Sequence, residues 1–181
     1  MYSGDSSNTE CAGYFCENEK TGERILAVAT DVPLKHWITV LLHESSHMDQ
    51  YLENCQEWQD CKMEDGSDST DALFKWIDGA NIDNIYDIGM RSLRVELDCE
   101  KRTVKKIMDY NLYDHIDVIE YIKKANAYIY FYLYVLETRK FYTKGNEPYT
   151  NSMIWSAAPI HFQGDYSTIP QPLYDAFKEY I

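Results

Sequence analysis

The sequence predicts a single, mainly helical domain with a small β element near its amino terminus. Hydrophobic residues make up 45% of the 181 residues and aromatic residues 14%, which is typical of a globular protein rather than a disordered one. A chain of this length fits one domain with a sizeable core, and two full domains would be cramped. Helix-like segments fill most of the chain, whereas the β-prone runs are confined to residues 11–30.

Residues 1–10 are small and polar, so we expect a flexible tail that precedes a domain over residues 11–181. Residues 11–15 and 24–30 are β-prone, and the turn-like segment 17–23 separates them. This arrangement predicts a hairpin or a pair of antiparallel strands.

Helix signals dominate the rest of the chain. Asp31 is the predicted N-cap of a helix that has Pro33 in its first turn and ends near Glu53. A polar stretch follows, in which residues 64–69 form a clear loop. The later helices are predicted at residues 70–77, 82–110, 115–142 and 172–180, with an irregular segment before the last one.

The net charge of −13 argues against a nucleic-acid partner, because binding through phosphate contacts favours a basic surface. The longest apolar run, residues 127–136, is too short to cross a bilayer and is rich in tyrosine. We therefore expect a soluble protein without a membrane partner. The sequence does not indicate an oligomeric state.

The chain has five cysteines, and their odd number and the absence of a signal peptide favour a reducing, cytoplasmic compartment over secretion. In an exported protein, the pairs to consider would be Cys11 with Cys16 and Cys55 with Cys61. The sequence has no Cys-x-x-Cys pair, which disfavours a thiolate zinc knuckle.

The strongest functional signal is the His-Glu-x-x-His run from His43 to His47, which follows an apolar stretch. Residues four apart lie on one face of a helix, so both imidazoles are able to point at one ion. Two neutral histidines suit Zn²⁺, and Glu44 is placed to take a proton from a zinc-bound water. A third ligand elsewhere in the chain would complete a metallohydrolase site.

Two acidic residues of the predicted helix 82–110 are candidates for that third ligand. On a helical wheel Glu96 and Glu100 lie on the apolar face, whereas Asp98 lies among the charged residues of the opposite face. Buried carboxylates usually bind a metal or pair with another polar group. We predict that Glu96 binds the metal and Glu100 orients a ligand histidine, with the exchanged roles as the main alternative.

These motifs resemble the active site of a zincin metallopeptidase of the gluzincin kind. In that group, a later helix supplies a Glu-x-x-x-Asp or Glu-x-x-x-Glu pair to the His-Glu-x-x-His helix. The resemblance covers residues 24–110, and the acidic helix before Cys99 is also distantly similar to ImmA/IrrE-type peptidases. The spacer between the two motifs is long for a minimal zincin, and residues 111–181 show no clear family match.

The resemblance implies a zincin-like fold and zinc-dependent hydrolysis of peptide bonds in a protein or peptide substrate. It makes His43, His47 and Glu96 the zinc ligands and Glu44 the general base. A non-catalytic zinc-binding regulatory module on the same scaffold is the alternative function. A helical adaptor without metal, in which these histidines and glutamates are polar core residues, is a third.

A zinc peptidase also needs a group that stabilises the oxyanion of the transition state. The irregular segment before the last helix offers His161, Tyr149 and Tyr166. We take His161 and Tyr166 as the catalytic candidates, against the alternative that they are ordinary loop and core residues.

Overall fold

The computed structural model describes residues 2–4, 12–18, 21–29 and 31–181. It is mainly helical with a small sheet near the amino terminus, which confirms the predicted class. Within these residues the strands are β1 (Tyr2–Gly4), β2 (Gly13–Asn18) and β3 (Glu23–Ala29). The helices are α1 (Leu34–Glu53), α2 (Gln56–Asp60), α3 (Ser69–Ile77), α4 (Ile85–Asp109), α5 (Val118–Thr138), α6 (Ser152–Trp155) and α7 (Gln171–Tyr180).

The three strands form one sheet with the order β1-β3-β2. β2 and β3 are antiparallel, with Gly13 opposite Val28, which confirms the predicted strand pair. β1 adds a parallel neighbour on the other side of β3, so residues 2–4 of the predicted tail are paired backbone. The other residues of that tail lie outside the described part of the chain.

The N-cap of α1 lies two residues later than predicted. Pro33 occupies the N-cap position and has no side-chain oxygen to accept a hydrogen bond, so the prediction of Asp31 as N-cap is wrong. The helix ends at Asn54, whose left-handed conformation (φ 48°) directs its N–H back to the carbonyl oxygens of Gln50 and Tyr51.

The long helices occur where they are predicted, but they are shorter. α5 ends at Thr138 because Arg139 adopts a left-handed conformation (φ 56°) that cannot continue a helix. α3 starts at an Asp68 cap, whose carboxylate accepts the N–H of Asp71 at 2.8 Å. α2 lies in the polar stretch after α1, where the sequence predicts no helix.

The chain divides into two compact units. The first contains residues 1–55 and 99–117, and so holds the sheet, α1 and the second part of α4. The second contains residues 56–98 and 118–181, and its aromatic core surrounds α5. The prediction of a single domain over residues 11–181 stays a prediction.

In the second unit the core consists largely of α5 side chains packed against α6 and α7. Phe131 and Tyr134 lie 5.9 Å and 5.2 Å, between ring centroids, from Phe177 of α7. Most of the tyrosine-rich run of α5 is therefore core. None of the helices in the described residues has the length and apolar character needed to cross a membrane.

In the first unit α1 packs against β2 and β3. Gly13 of β2 makes the closest approach, since a β-carbon there would lie 2.5 Å from Cγ1 of Val40 and 2.9 Å from the carbonyl oxygen of Ala27. Near the end of α1, the ring of Tyr51 lies 5.7 Å from that of Phe15. The glycine thus sets how closely the sheet approaches the helix that carries both histidines.

We predict that Gly13→Ala lowers the free energy of unfolding by about 1–3 kcal/mol, because the added methyl group forces the strand away from α1. Urea unfolding followed by circular dichroism measures the change. Gly164→Ala is the matched control, since a β-carbon there meets nothing within 4 Å, and it should cost less than about 0.5 kcal/mol. Equal stabilities of the two variants would contradict the close approach.

Candidate metal centre

α1 presents the two motif histidines on the same face, as the four-residue spacing predicts. The rings of His43 and His47 lie 4.8 Å apart between centroids and are nearly perpendicular, at 84°. Both side chains are partly buried. The helix therefore brings two imidazoles to one place with solvent still able to reach them.

The second part of α4 packs along this face of α1 within the first unit. Thr103 donates a hydrogen bond from Oγ1 to Oγ of Ser46 at 3.1 Å, and both residues are fully buried. At the edge of the contact, Nζ of Lys106 lies 2.7 Å from Oδ2 of Asp49. These contacts hold the two helices together at successive turns.

His43 contacts two consecutive residues of α4. Its Nδ1 atom lies 3.3 Å from Oε1 of Glu100 and 3.6 Å from Sγ of Cys99. The Cys99 thiol also donates to the carbonyl oxygen of His43 at 3.3 Å. Burial by itself lowers the pKa of His43, but the neighbouring Cys99 and Glu100 raise it, and the net pKa lies well above the ordinary value.

His47 has a different partner, on its own helix. Its Nδ1 atom lies 2.8 Å from Oε1 of Gln50, one turn further along α1. Gln50 is fully buried. In both histidines, therefore, Nδ1 is next to an oxygen atom, from Glu100 for His43 and from Gln50 for His47.

His43, His47 and Cys99 each offer one possible ligand atom, and these three atoms lie within 4.8 Å of one another. Ligand atoms around a tetrahedral zinc are about 3.5 Å apart, given Zn–N of about 2.0–2.1 Å and Zn–S of about 2.3 Å. The group is thus able to bind a metal ion after a small contraction. The ligand set predicted from the sequence does not include Cys99.

A signal for Cys99 was nonetheless present in the sequence. On the helical wheel it lies about 60° from Glu96, on the side away from Glu100 and so still on the inward-facing half of α4. The predicted third ligand is one of two acidic residues of this helix, Glu96 or Glu100. Cys99, fully buried beside His43, is a further candidate on the same helix.

Glu96 lies one turn before Glu100 on α4, in the part of the helix that belongs to the second unit. Its Oε2 atom is buried. Tyr128 and Tyr132 of α5 are close enough that, after burial, the Glu96 charge contributes to raising the pKa of both hydroxyls. The predicted role of Glu96 as third ligand stays a prediction.

Glu44, the predicted general base, is partly buried and directly follows His43 on α1. A β-carbon at Gly13 would lie 3.2 Å from Cγ of Glu44, so the side chain of Glu44 runs past β2. β2 is the last strand of the sheet within the described residues. The base candidate is therefore next to the strand that, among the described residues, forms one edge of the sheet.

The two predicted oxyanion-stabilising residues both belong to the second unit. The side chain of His161 is exposed, and its carbonyl oxygen accepts a hydrogen bond from Nδ2 of Asn126 at 2.9 Å. The Tyr166 hydroxyl is buried, donates to Oδ1 of Asn126 at 2.5 Å and accepts the N–H of Gln163 at 3.1 Å. This hydroxyl has partners that stabilise the loop, and the catalytic role of both residues stays a prediction.

The similarity of this site to known proteins rests on its motif residues. Comparisons with protein-family models, with curated proteins and with solved structures find no match for this chain. The zincin resemblance consequently rests on the sequence motifs that contain His43, Glu44, His47, Glu96 and Glu100.

Proposed function

We propose that the protein is a zinc-dependent peptidase that hydrolyses peptide bonds in a protein or peptide substrate. One observation supports this above all others. The two histidines of a His-Glu-x-x-His helix lie side by side, and the Nδ1 atom of each is within reach of an oxygen acceptor, Glu100 for His43 and Gln50 for His47.

The donor set suits zinc. An acceptor at Nδ1 favours the tautomer that carries its hydrogen there, which leaves the Nε2 lone pair of each imidazole for a metal. Imidazole nitrogen, thiolate and carboxylate are the ligands that zinc takes in proteins, whereas magnesium and calcium prefer sites made of oxygen ligands alone. His43 and His47 would therefore hold Zn²⁺ in preference to a harder cation.

For the third ligand we propose Glu96. Glu100, one turn later on the same helix, is occupied at 3.3 Å from Nδ1 of His43, which suits a residue that orients a ligand. The exchanged roles of the two glutamates, and Cys99 in place of either, are the competing assignments. Both alternatives predict different metal spectra or affinities from those of the Glu96 assignment.

Bound zinc would polarise the substrate carbonyl and lower the pKa of a coordinated water. Glu44 would accept a proton from the attacking water and return it to the leaving amine, as a general base and then a general acid. Glu100 and Gln50 would keep the imidazoles in one orientation throughout. Either His161 or Tyr166 is the proposed donor to the oxyanion, as the sequence predicts.

The sheet offers a place for an extended peptide. β2 pairs with β3 on one side, and among the described residues its other side has no strand. An added peptide strand would hydrogen-bond to the β2 backbone and pass the point where Gly13 lies against Glu44. Pairing of this kind uses main-chain hydrogen bonds, which do not depend on the side chains of the peptide. Any unfolded or extended peptide could therefore bind in this way.

A second candidate function follows from the buried thiol. If Cys99 binds the ion together with the two histidines, three of the ligands are Cys and His residues, as in structural zinc sites. A fourth protein ligand would then leave no coordination position for water. The protein would then be a non-catalytic zinc-binding module that acts by interaction. Zinc would be bound in both cases, but only the peptidase would turn over a substrate.

We predict that the purified protein contains one zinc ion per chain and that Glu44→Gln keeps this zinc but slows peptide cleavage by at least about 100-fold, because the general base is lost. Atomic absorption measures the zinc, and a mixed fluorogenic peptide library measures cleavage. Glu53→Gln is the control on the same helix, since Glu53 pairs with Arg102 near the surface. Full turnover by Glu44→Gln would exclude this mechanism, and full zinc without cleavage by the wild type would favour the regulatory module.

A second prediction identifies the third ligand. Glu96→Gln should lower zinc affinity the most, Glu100→Gln by about 10–100-fold, and Cys99→Ser only slightly, because a ligand matters more than the group that orients one. Competition with a chromophoric chelator gives the affinities. In the cobalt-substituted protein we expect no sulfur-to-metal charge-transfer absorption; a strong band of that kind, lost in Cys99→Ser, would assign the thiolate instead.

A further inference from the structure

Gln50 is a fully buried polar residue that takes no part in proton transfer in the proposed mechanism, and the structure places it against a predicted zinc ligand. Its Oε1 atom lies 2.8 Å from Nδ1 of His47. A buried carboxamide is costly unless its polar atoms have hydrogen-bond partners, so a side chain of this kind rarely serves packing alone.

The backbone of Gln50 is fixed as well. It lies in the last turn of α1, where its carbonyl oxygen accepts the N–H groups of Asn54 and Cys55, the latter at 3.2 Å. The left-handed residue Asn54 then ends the helix. The side chain of Gln50 is consequently presented to His47 from a rigid helix end.

The chemistry of the contact determines the tautomer of His47. A carboxamide oxygen only accepts hydrogen bonds, so with Oε1 of Gln50 facing the ring this hydrogen bond forms in the tautomer that carries its hydrogen on Nδ1, and Nε2 of that neutral tautomer keeps its lone pair. If the amide were turned the other way, its NH₂ group would donate to Nδ1, and the hydrogen would move to Nε2. A metal could not bind Nε2 in that form.

We infer that Gln50 is a positioning residue of the metal centre, which selects the Nδ1–H tautomer of His47 and directs its Nε2 atom to the zinc. The inference rests on the proposed zinc site but not on peptide hydrolysis. It gives His47 a neutral orienting partner on its own helix, whereas His43 has an ionisable one, Glu100, on α4.

Two variants separate positioning from packing. Gln50→Met keeps the size of the side chain but removes the acceptor, and it should weaken zinc binding by about 10–100-fold, as is usual when an orienting partner is lost. Gln50→Glu keeps an acceptor and should hold zinc at least as tightly as the wild type. A packing role predicts the opposite order, with Met tolerated and a buried Glu disruptive.

Zinc affinity is measured by chelator competition, with melting temperatures recorded for the metal-free variants. Ser69→Ala is the control, since Ser69 is equally buried and its hydroxyl accepts a hydrogen bond from Oγ of Ser92 at 2.8 Å, outside the contact between α1 and the second part of α4. It should change zinc affinity by no more than about twofold, because only groups that hydrogen-bond to a metal ligand are expected to affect metal binding in this way. If the wild type binds zinc and Gln50→Met binds it with the same affinity, the inference on Gln50 is wrong, while the proposed function is unaffected.

The tautomer itself is observable in the wild-type protein, so the test does not depend on any variant folding. In the metal-free protein above the pKa of His47, long-range ¹H–¹⁵N spectra of the imidazole should show the hydrogen on Nδ1. A hydrogen on Nε2 would contradict the inference. A wild type that binds no zinc would overturn both the inference and the proposed function, whereas bound zinc without cleavage would overturn only the latter.

Discussion

The first unit depends on the contact between α1 and the second part of α4, because that contact buries polar side chains of both helices. Ser46, Thr103 and Glu100 are almost completely inaccessible to solvent, and each has a hydrogen-bond or ion-pair partner across the two helices. Buried polar groups tolerate few arrangements, since any shift leaves a donor or acceptor unsatisfied. The contact therefore fixes one relative position of the helices more firmly than an apolar contact would.

That position determines where the imidazoles point. His43 is held between its own helix and α4, with Cys99 hydrogen-bonded to its carbonyl oxygen and Glu100 next to its ring. On the other side of α1, the sheet approaches closely at Gly13, beside Glu44. A helix held on both sides presents its catalytic candidates in a defined geometry, which is what a metal with a strict ligand geometry requires.

The sequence predicted those parts of the site that depend on periodicity alone. The four-residue spacing of the histidines and the inward position of Glu100 follow from the helical repeat, and both are seen in the structure. The partner role of Gln50 depends on the direction of its side chain, and that of Cys99 on the packing of two helices distant in sequence, so the helical repeat alone did not identify either role. β1 was missed for a similar reason, since three residues carry no periodic signal and gain their strand conformation by pairing with β3.

The partners of the two histidines differ in charge, and this difference has a chemical consequence. A carboxylate next to Nδ1 increases the electron density of the imidazole more than a neutral amide does, so His43 should be the more basic of the two imidazoles. The Glu100 charge is tolerable in the buried contact because a cation, either a protonated imidazole or a metal, balances it nearby. Gln50 orients His47 without adding a second buried negative charge. The same helix thus places both histidines of the motif, but a carboxylate of α4 contacts His43 and a neutral amide of α1 contacts His47.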